Sequence, residues 1–104
     1  MKLSQIDGSI RCLAYDSEFI AIGMARGKVR LIQSDLLQYD LISHTFDNHK
    51  NDVRDIKFYD GESNQKSKKL MISVSYDGSI VVVSLMEMQK VLKLNLNNVN
   101  HQIK

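Results

Sequence analysis

The sequence predicts an all-β protein built of two four-stranded antiparallel units. Three observations carry that expectation. Short runs of β-branched, aromatic and aliphatic residues are separated by clusters of Gly, Asp, Asn and Ser, the residue types that turn a chain between strands. The apolar pattern of the first half returns in the second. Asp77-Gly78 sits between two apolar runs, Leu70–Ser75 and Ile80–Val83, and Asp-Gly tolerates the positive φ that a two-residue hairpin turn needs.

In chain order, Asp7-Gly8-Ser9 reads as a turn and Ile10–Tyr15 as the first strand. Asp16-Ser17-Glu18 turns the chain, Phe19–Met24 is the second strand, Arg26-Gly27 a tight turn and Lys28–Gln33 the third strand. Tyr39–Phe46 reads as a fourth, outer strand on Leu41, Ile42 and Phe46. The pattern then restarts, because Val53–Tyr59 matches Ile10–Tyr15 in its apolar positions and in the arginine after the first of them. Ile10 and Val53 lie 43 residues apart, whereas Gly27 and Gly78 lie 51 apart. The second unit therefore carries an insertion, assigned to the polar loop Asp60–Lys69, which lengthens a surface connection at small entropic cost.

Ile80–Val83 is apolar at every position, which predicts a strand covered on both faces. Leu92, Leu94 and Leu96 alternate with Lys93 and Asn95, which predicts a final strand with one buried and one wet face. Leu85, Met88 and Leu92 also fit helical spacing, but the strand patterns on either side favour strand, turn and strand. Cys12 reads as a small core residue. Met24, Met71, Met86 and Met88 read as fillers of irregular packing gaps. Asn97–Lys104 has no apolar pattern and reads as a frayed tail.

Composition narrows the function. The chain has 104 residues, 14 basic and 12 acidic, for a net charge of +2; that is too little to direct binding to nucleic acid or anionic lipid by charge alone. Its single cysteine forms no intrachain disulfide and supplies no thiol set for a structural zinc, which suits a reducing compartment. His44 and His101 have no ligand-type neighbours at metal spacing, and neither a metal nor a cofactor is expected. No signal peptide or membrane span is read, so the expected location is the cytoplasm, with the nucleus as the other reducing option.

A four-strand unit recurring at about 40–45 residues is the signature of a propeller blade. His49-Lys50-Asn51-Asp52-Val53, then Ser73, then Asp77-Gly78-Ser79-Ile80, resembles the WD-repeat family pattern of His, three residues and Val, followed by Ser four positions before Asp-Gly. The resemblance covers most of the second unit. Val83-Ser84 stand where the family carries Trp-Asp, and the first unit has Arg26 at the aspartate position and Ile32-Gln33 at the Trp-Asp position. The resemblance implies two stacked blades of an incomplete propeller, residues 6–46 and 48–96, the second carrying the inserted loop 60–69 and followed by the tail 97–104. It also implies a structural hydrogen-bond network of His49, Ser73 and Asp77, without the indole that Val83 cannot supply.

His49, Ser73 and Asp77 are also the residue types of a hydrolase triad. No Gly-x-Ser-x-Gly elbow surrounds Ser73, and a serine in mid-strand between stacked sheets faces no cleft, so the structural role is preferred. The function implied is a non-catalytic scaffold that binds other proteins or peptides. Asp52, Arg54, Lys66, Lys68 and Lys69 are its candidate contact residues, and further blades would be supplied in cis or in trans. Two blades close no ring. The chain is therefore expected to belong to a larger propeller protein, with a self-assembling structural subunit as the alternative. An RNA-associated module is a more distant reading, since Lys66, Lys68 and Lys69 have no interleaved aromatic residues to stack on bases.

Overall fold

The computed structural model describes residues 9–16, 18–35, 40–61 and 68–96. Lys66, the middle of the inserted loop, the tail from Asn97 and the chain before Ser9 lie outside them. Among the described residues there are eight strands: β1 (Ile10–Tyr15), β2 (Phe19–Met24), β3 (Lys28–Asp35), β4 (Asp40–Asp47), β5 (Val53–Gly61), β6 (Lys68–Ser75), β7 (Ser79–Ser84) and β8 (Gln89–Asn95). They form two antiparallel sheets, ordered β1-β2-β3-β4 and β5-β6-β7-β8. Each is a simple up-and-down meander, the topology that short turns between successive strands produce. Among the described residues the sheets close into neither a barrel nor a ring.

The repeat in the sequence is a repeat in the register. Both sheets carry an irregularity after the first residue of their first strand, between Ile10 and Cys12 and between Val53 and Asp55. Gly23 then pairs with Val29 as Val74 pairs with Ile80. Asp16 closes the β1–β2 turn by accepting the Glu18 and Phe19 N–H groups on Oδ1, at 2.9 and 2.8 Å. In the β2–β3 turn, Ala25–Gly27, both Arg26 (φ 69°) and Gly27 (φ 90°) are left-handed. Arginine in that conformation crowds its Cβ against the backbone, a strain glycine does not suffer. Arg26→Gly is expected to raise stability by about 0.5–1 kcal/mol, seen as a higher urea midpoint with an unchanged denaturant slope.

The sheets pack face to face. Phe19, Ala21, Val29 and Leu31 of the first sheet and Val53, Ile56, Met71, Val81, Val83 and Leu85 of the second make one buried cluster. Phe19 stacks on Phe58 at 6.3 Å between ring centroids. Cys12 and Ala14 pack against the same cluster from β1. Because side chains alternate along a strand, Ile22, Met24 and Ile32 lie on the other face of the first sheet, where they form a second buried cluster.

Three expectations are corrected by this arrangement. In β7, Val81 and Val83 are fully buried but Ile80 and Val82 only half so, because one sheet covers the strand from one side. β8 has no buried face at all: every residue from Gln89 to Asn95 is exposed. Leu92 and Leu94 pair with Val82 and Ile80 and so share their uncovered face, not the packed one. Of the four methionines read as gap fillers, Met24 and Met71 are buried and Met88 packs against the core, but Met86 is exposed on the β7–β8 turn.

Candidate functional site

The residues singled out in the sequence fall at two opposite ends of the second sheet. At one end the β6–β7 turn meets the segment joining the sheets, and there His49 is buried. Its Nε2 lies 2.8 Å from the Ser73 hydroxyl and its Nδ1 2.5 Å from the Ser79 hydroxyl. Asp77 is reached through Ser79, whose hydroxyl donates to Asp77 Oδ1 at 2.5 Å; the direct separation from His49 Nδ1 to that oxygen is 4.0 Å. Asn48 Nδ2 donates to Ser73 Oγ at 3.2 Å. Ser79 and Asn48 are the members that motif reading passed over. Their only signal was position, one beside the Asp-Gly turn and the other beside the histidine.

The donor directions in this cluster follow from its end point. Asp77 accepts the Ser79 hydroxyl and N–H on Oδ1 and the Lys50 N–H on Oδ2. A carboxylate so surrounded is an obligate acceptor, so the Ser79 proton points at it and Ser79 Oγ accepts from His49 Nδ1–H. Neutral His49 then presents a bare Nε2 to the Ser73 hydroxyl, which accepts in turn from Asn48. Every bond in the chain Asn48, Ser73, His49, Ser79, Asp77 therefore donates in one direction and ends on a negative charge, an order that polarises each link.

The electrostatics agree. Burial alone would raise the Asp77 pKa, but the Ser79 hydroxyl, the Lys50 and Ser79 N–H groups and the nearby His49 outweigh it and hold the carboxyl at about 2. Burial lowers the His49 pKa; Lys93 and Lys90 push the same way, and Asp77 opposes them without prevailing. His49 is thus held neutral. Protonation at Nε2 would force Ser73 to surrender its donor role.

The same end ties the two sheets together. Gly27 O accepts the N–H groups of Asn48 and His49 at 3.2 and 3.1 Å. Asp52 takes the Arg26 N–H on Oδ1 at 3.1 Å and the Arg11 guanidinium on Oδ2 at 3.0 Å. Its carbonyl accepts the Ser75 hydroxyl and the Tyr76 N–H. Asp52, expected as a partner contact, is engaged inside the molecule. Arg54 is exposed beside Tyr76, its guanidinium carbon 5.8 Å from the ring centroid, and Tyr76 is 68 % exposed.

No protein-family model, curated protein or solved structure matches this chain.

At the far end of the sheet Lys69 is also engaged. Its ammonium sits 2.6 Å from Asp16, 3.7 Å from Glu18 and 3.8 Å from Asp60, over the Phe19 ring, with the side chain only 14 % exposed. The Asp16 bond, with Glu18 and Asp60 adding, raises the Lys69 pKa above its ordinary value against the cost of burial. Burial pushes the Asp16 carboxyl up, and the bonds from Lys69 and the Glu18 and Phe19 N–H groups bring it below its usual value. Lys69 therefore clasps the two sheets where a free contact lysine was expected. A cleft of about 240 Å³ opens beside it, lined by Glu18, Phe19, Gln33, Lys69, Leu85 and Met86. Lys68 begins β6 opposite Gly61, and Lys66 lies outside the described residues.

Ser73, His49 and Asp77 include an acid, a base and a hydroxyl, yet Ser73 is 0 % exposed. The hydroxyl is sealed from solvent between the sheets, and its proton is committed to His49. Among the described residues no group of three His, Cys, Asp or Glu side chains is placed to hold a metal ion. No helix there is long and apolar enough to cross a membrane.

Proposed function

We propose that the chain is a non-catalytic binding scaffold, a pair of WD-repeat-like blades that presents one rim to other proteins or peptides. The observation carrying this reading is the burial of the His49 network at the foot of an exposed rim. Polar groups of catalytic type are spent on joining two sheets, while Arg54 and Tyr76 stand outside them. An exposed aromatic residue paired with arginine is the composition that protein contacts favour. The four-strand repeat, the shared register irregularity and the engagement of His49 with Ser73 support the blade reading. The partners are other proteins, with further blades in cis or in trans; a cytoplasmic site of action accords with the single thiol.

Affinity capture from cells tests the reading. A partner held by the wild-type chain should be lost, or weakened at least about tenfold, by Arg54→Ala combined with Tyr76→Ala. Retention of every partner by that variant and by a deletion of Gly61–Lys68 overturns the contact assignment. Covalent labelling of Ser73 in the folded chain by a fluorophosphonate overturns the non-catalytic reading.

A further inference from the structure

The second sheet has one packed face and one open one, and the open face is ordered in ranks. Cross-strand pairing puts Lys57, Ile72, Val82 and Leu92 in one rank and Asp55, Val74, Ile80 and Leu94 in the next. All eight side chains point away from the first sheet, since their neighbours Ile56, Met71, Ser73, Val81 and Val83 point into the packed face. Leu92 is 48 % and Leu94 42 % exposed, the four β-branched residues between them and β5 are half-buried, and Asp55 and Lys57 are exposed. A continuous apolar strip of this kind on a small domain marks an interaction surface.

The pattern is complementary to itself. A two-fold axis crossing the strands between the ranks carries each rank onto the other. Lys57 then lies over Asp55 of a second copy and Asp55 over its Lys57, while Ile72 meets Val74, Val82 meets Ile80 and Leu92 meets Leu94. Opposite charges meet twice along the β5 margin, and apolar residues of similar volume meet across the rest of the face. Aligned face-to-face packing of two sheets about 10 Å apart is a standard arrangement. A pairing that uses the same face on both copies closes at two, whereas head-to-tail growth needs a second, different face.

We propose that the face carrying Asp55, Lys57, Ile72, Val74, Ile80, Val82, Leu92 and Leu94 is the interface of a two-fold symmetric homodimer, with Asp55 and Lys57 paired across the axis. The proposal goes beyond the scaffold reading and does not require it, because the rim at Arg54 and Tyr76 lies at the end of the sheet and stays free.

Sedimentation equilibrium on the 104-residue chain at neutral pH tests it. The expected result is a reversible monomer–dimer equilibrium. Asp55→Lys and Lys57→Asp each set like charges across the axis and should weaken it at least about tenfold. Combining both changes in one chain, or mixing the two single variants, restores opposite charges and should return dimerisation to near the wild-type level. Leu92→Lys should abolish it. Far-UV circular dichroism should be unchanged in all of them, since the substituted side chains are exposed. A chain that stays monomeric at about 1 mM, a ladder of larger assemblies, or a double charge exchange that restores nothing overturns the proposal.

Discussion

Gly27→Ala is expected to abolish cooperative folding at 37 °C or to cost at least about 4 kcal/mol, a large share of a small domain's stability. Gly27 has φ +90°, where any side chain is strained. A methyl built there also runs into the backbone of His49, meeting its carbonyl oxygen and carbon first. Those atoms have nowhere to go. Gly27 O is the acceptor for Asn48 and His49 N–H, so the glycine and the segment it touches are bound to each other on one side and in van der Waals contact on the other. Moving the two apart to admit the methyl breaks the hydrogen bonds that tie the segment between β4 and β5 to the β2–β3 turn and unseats His49 from both serines. Gly23→Ala is the informative comparison. There the new methyl would meet the Cys12 sulfur and the Val53 side chain, and no positive φ is involved. Side chains yield where backbone does not, so the expected cost is about 1–3 kcal/mol. Adding Cys12→Ala should recover part of it. Urea denaturation of Gly27→Ala, Gly23→Ala and the Gly23→Ala, Cys12→Ala double variant checks both expectations.

The contrast between these glycines marks how far the sequence could be read. Strand after strand was legible, because apolar runs bounded by Asp, Gly and Ser state both an element and its ends. The Asp77-Gly78 turn was legible for the same reason, and so was the repeat, since Ile10-Arg11 and Val53-Arg54 begin two strands with the same irregularity. The pattern did not state which side of a strand a neighbouring sheet would cover. Ile80–Val83 has apolar residues on both sides, and only the packing shows that Val81 and Val83 face inward while Ile80 and Val82 wait on an open face. Nor did it state what a charged residue would find across the fold. Lys69 looked like one of three loop lysines; in the structure it meets Asp16, 53 residues away. His49, Ser73 and Asp77 were visible through a motif, but the hydroxyl that joins two of them, Ser79, was not. A serine after Asp-Gly suits any turn, and its role depends on a histidine 30 residues away.

Acid should unfold the protein in two separable steps, and the upper one belongs to His49. Its folded-state pKa lies below 6.5, so the unfolded chain takes up a proton first as the pH falls. Stability is then fully present above pH 6.5 and declines below it, by at most about 1.4 kcal/mol per pH unit for one proton, until the folded-state pKa is reached. Asp77 acts lower. Its pKa of about 2 against an ordinary 3.8 means that its contribution is complete above pH 4 and disappears between about pH 4 and 2, where Asp16, also depressed, adds to the loss. Thermal or urea midpoints measured from pH 8 to pH 2 should show both declines. His49→Gln should cost about 2–4 kcal/mol at pH 7.5, because it strands buried hydroxyls that the imidazole served, yet leave stability flat between pH 7 and pH 5. Asp77→Asn should flatten the lower step and also steepen the upper one, since the carboxylate is what favours the charged imidazole. If His49→Gln keeps the full decline between pH 7 and pH 5, the one-way chain from Asn48 to Asp77 is not what holds that end of the sheets together.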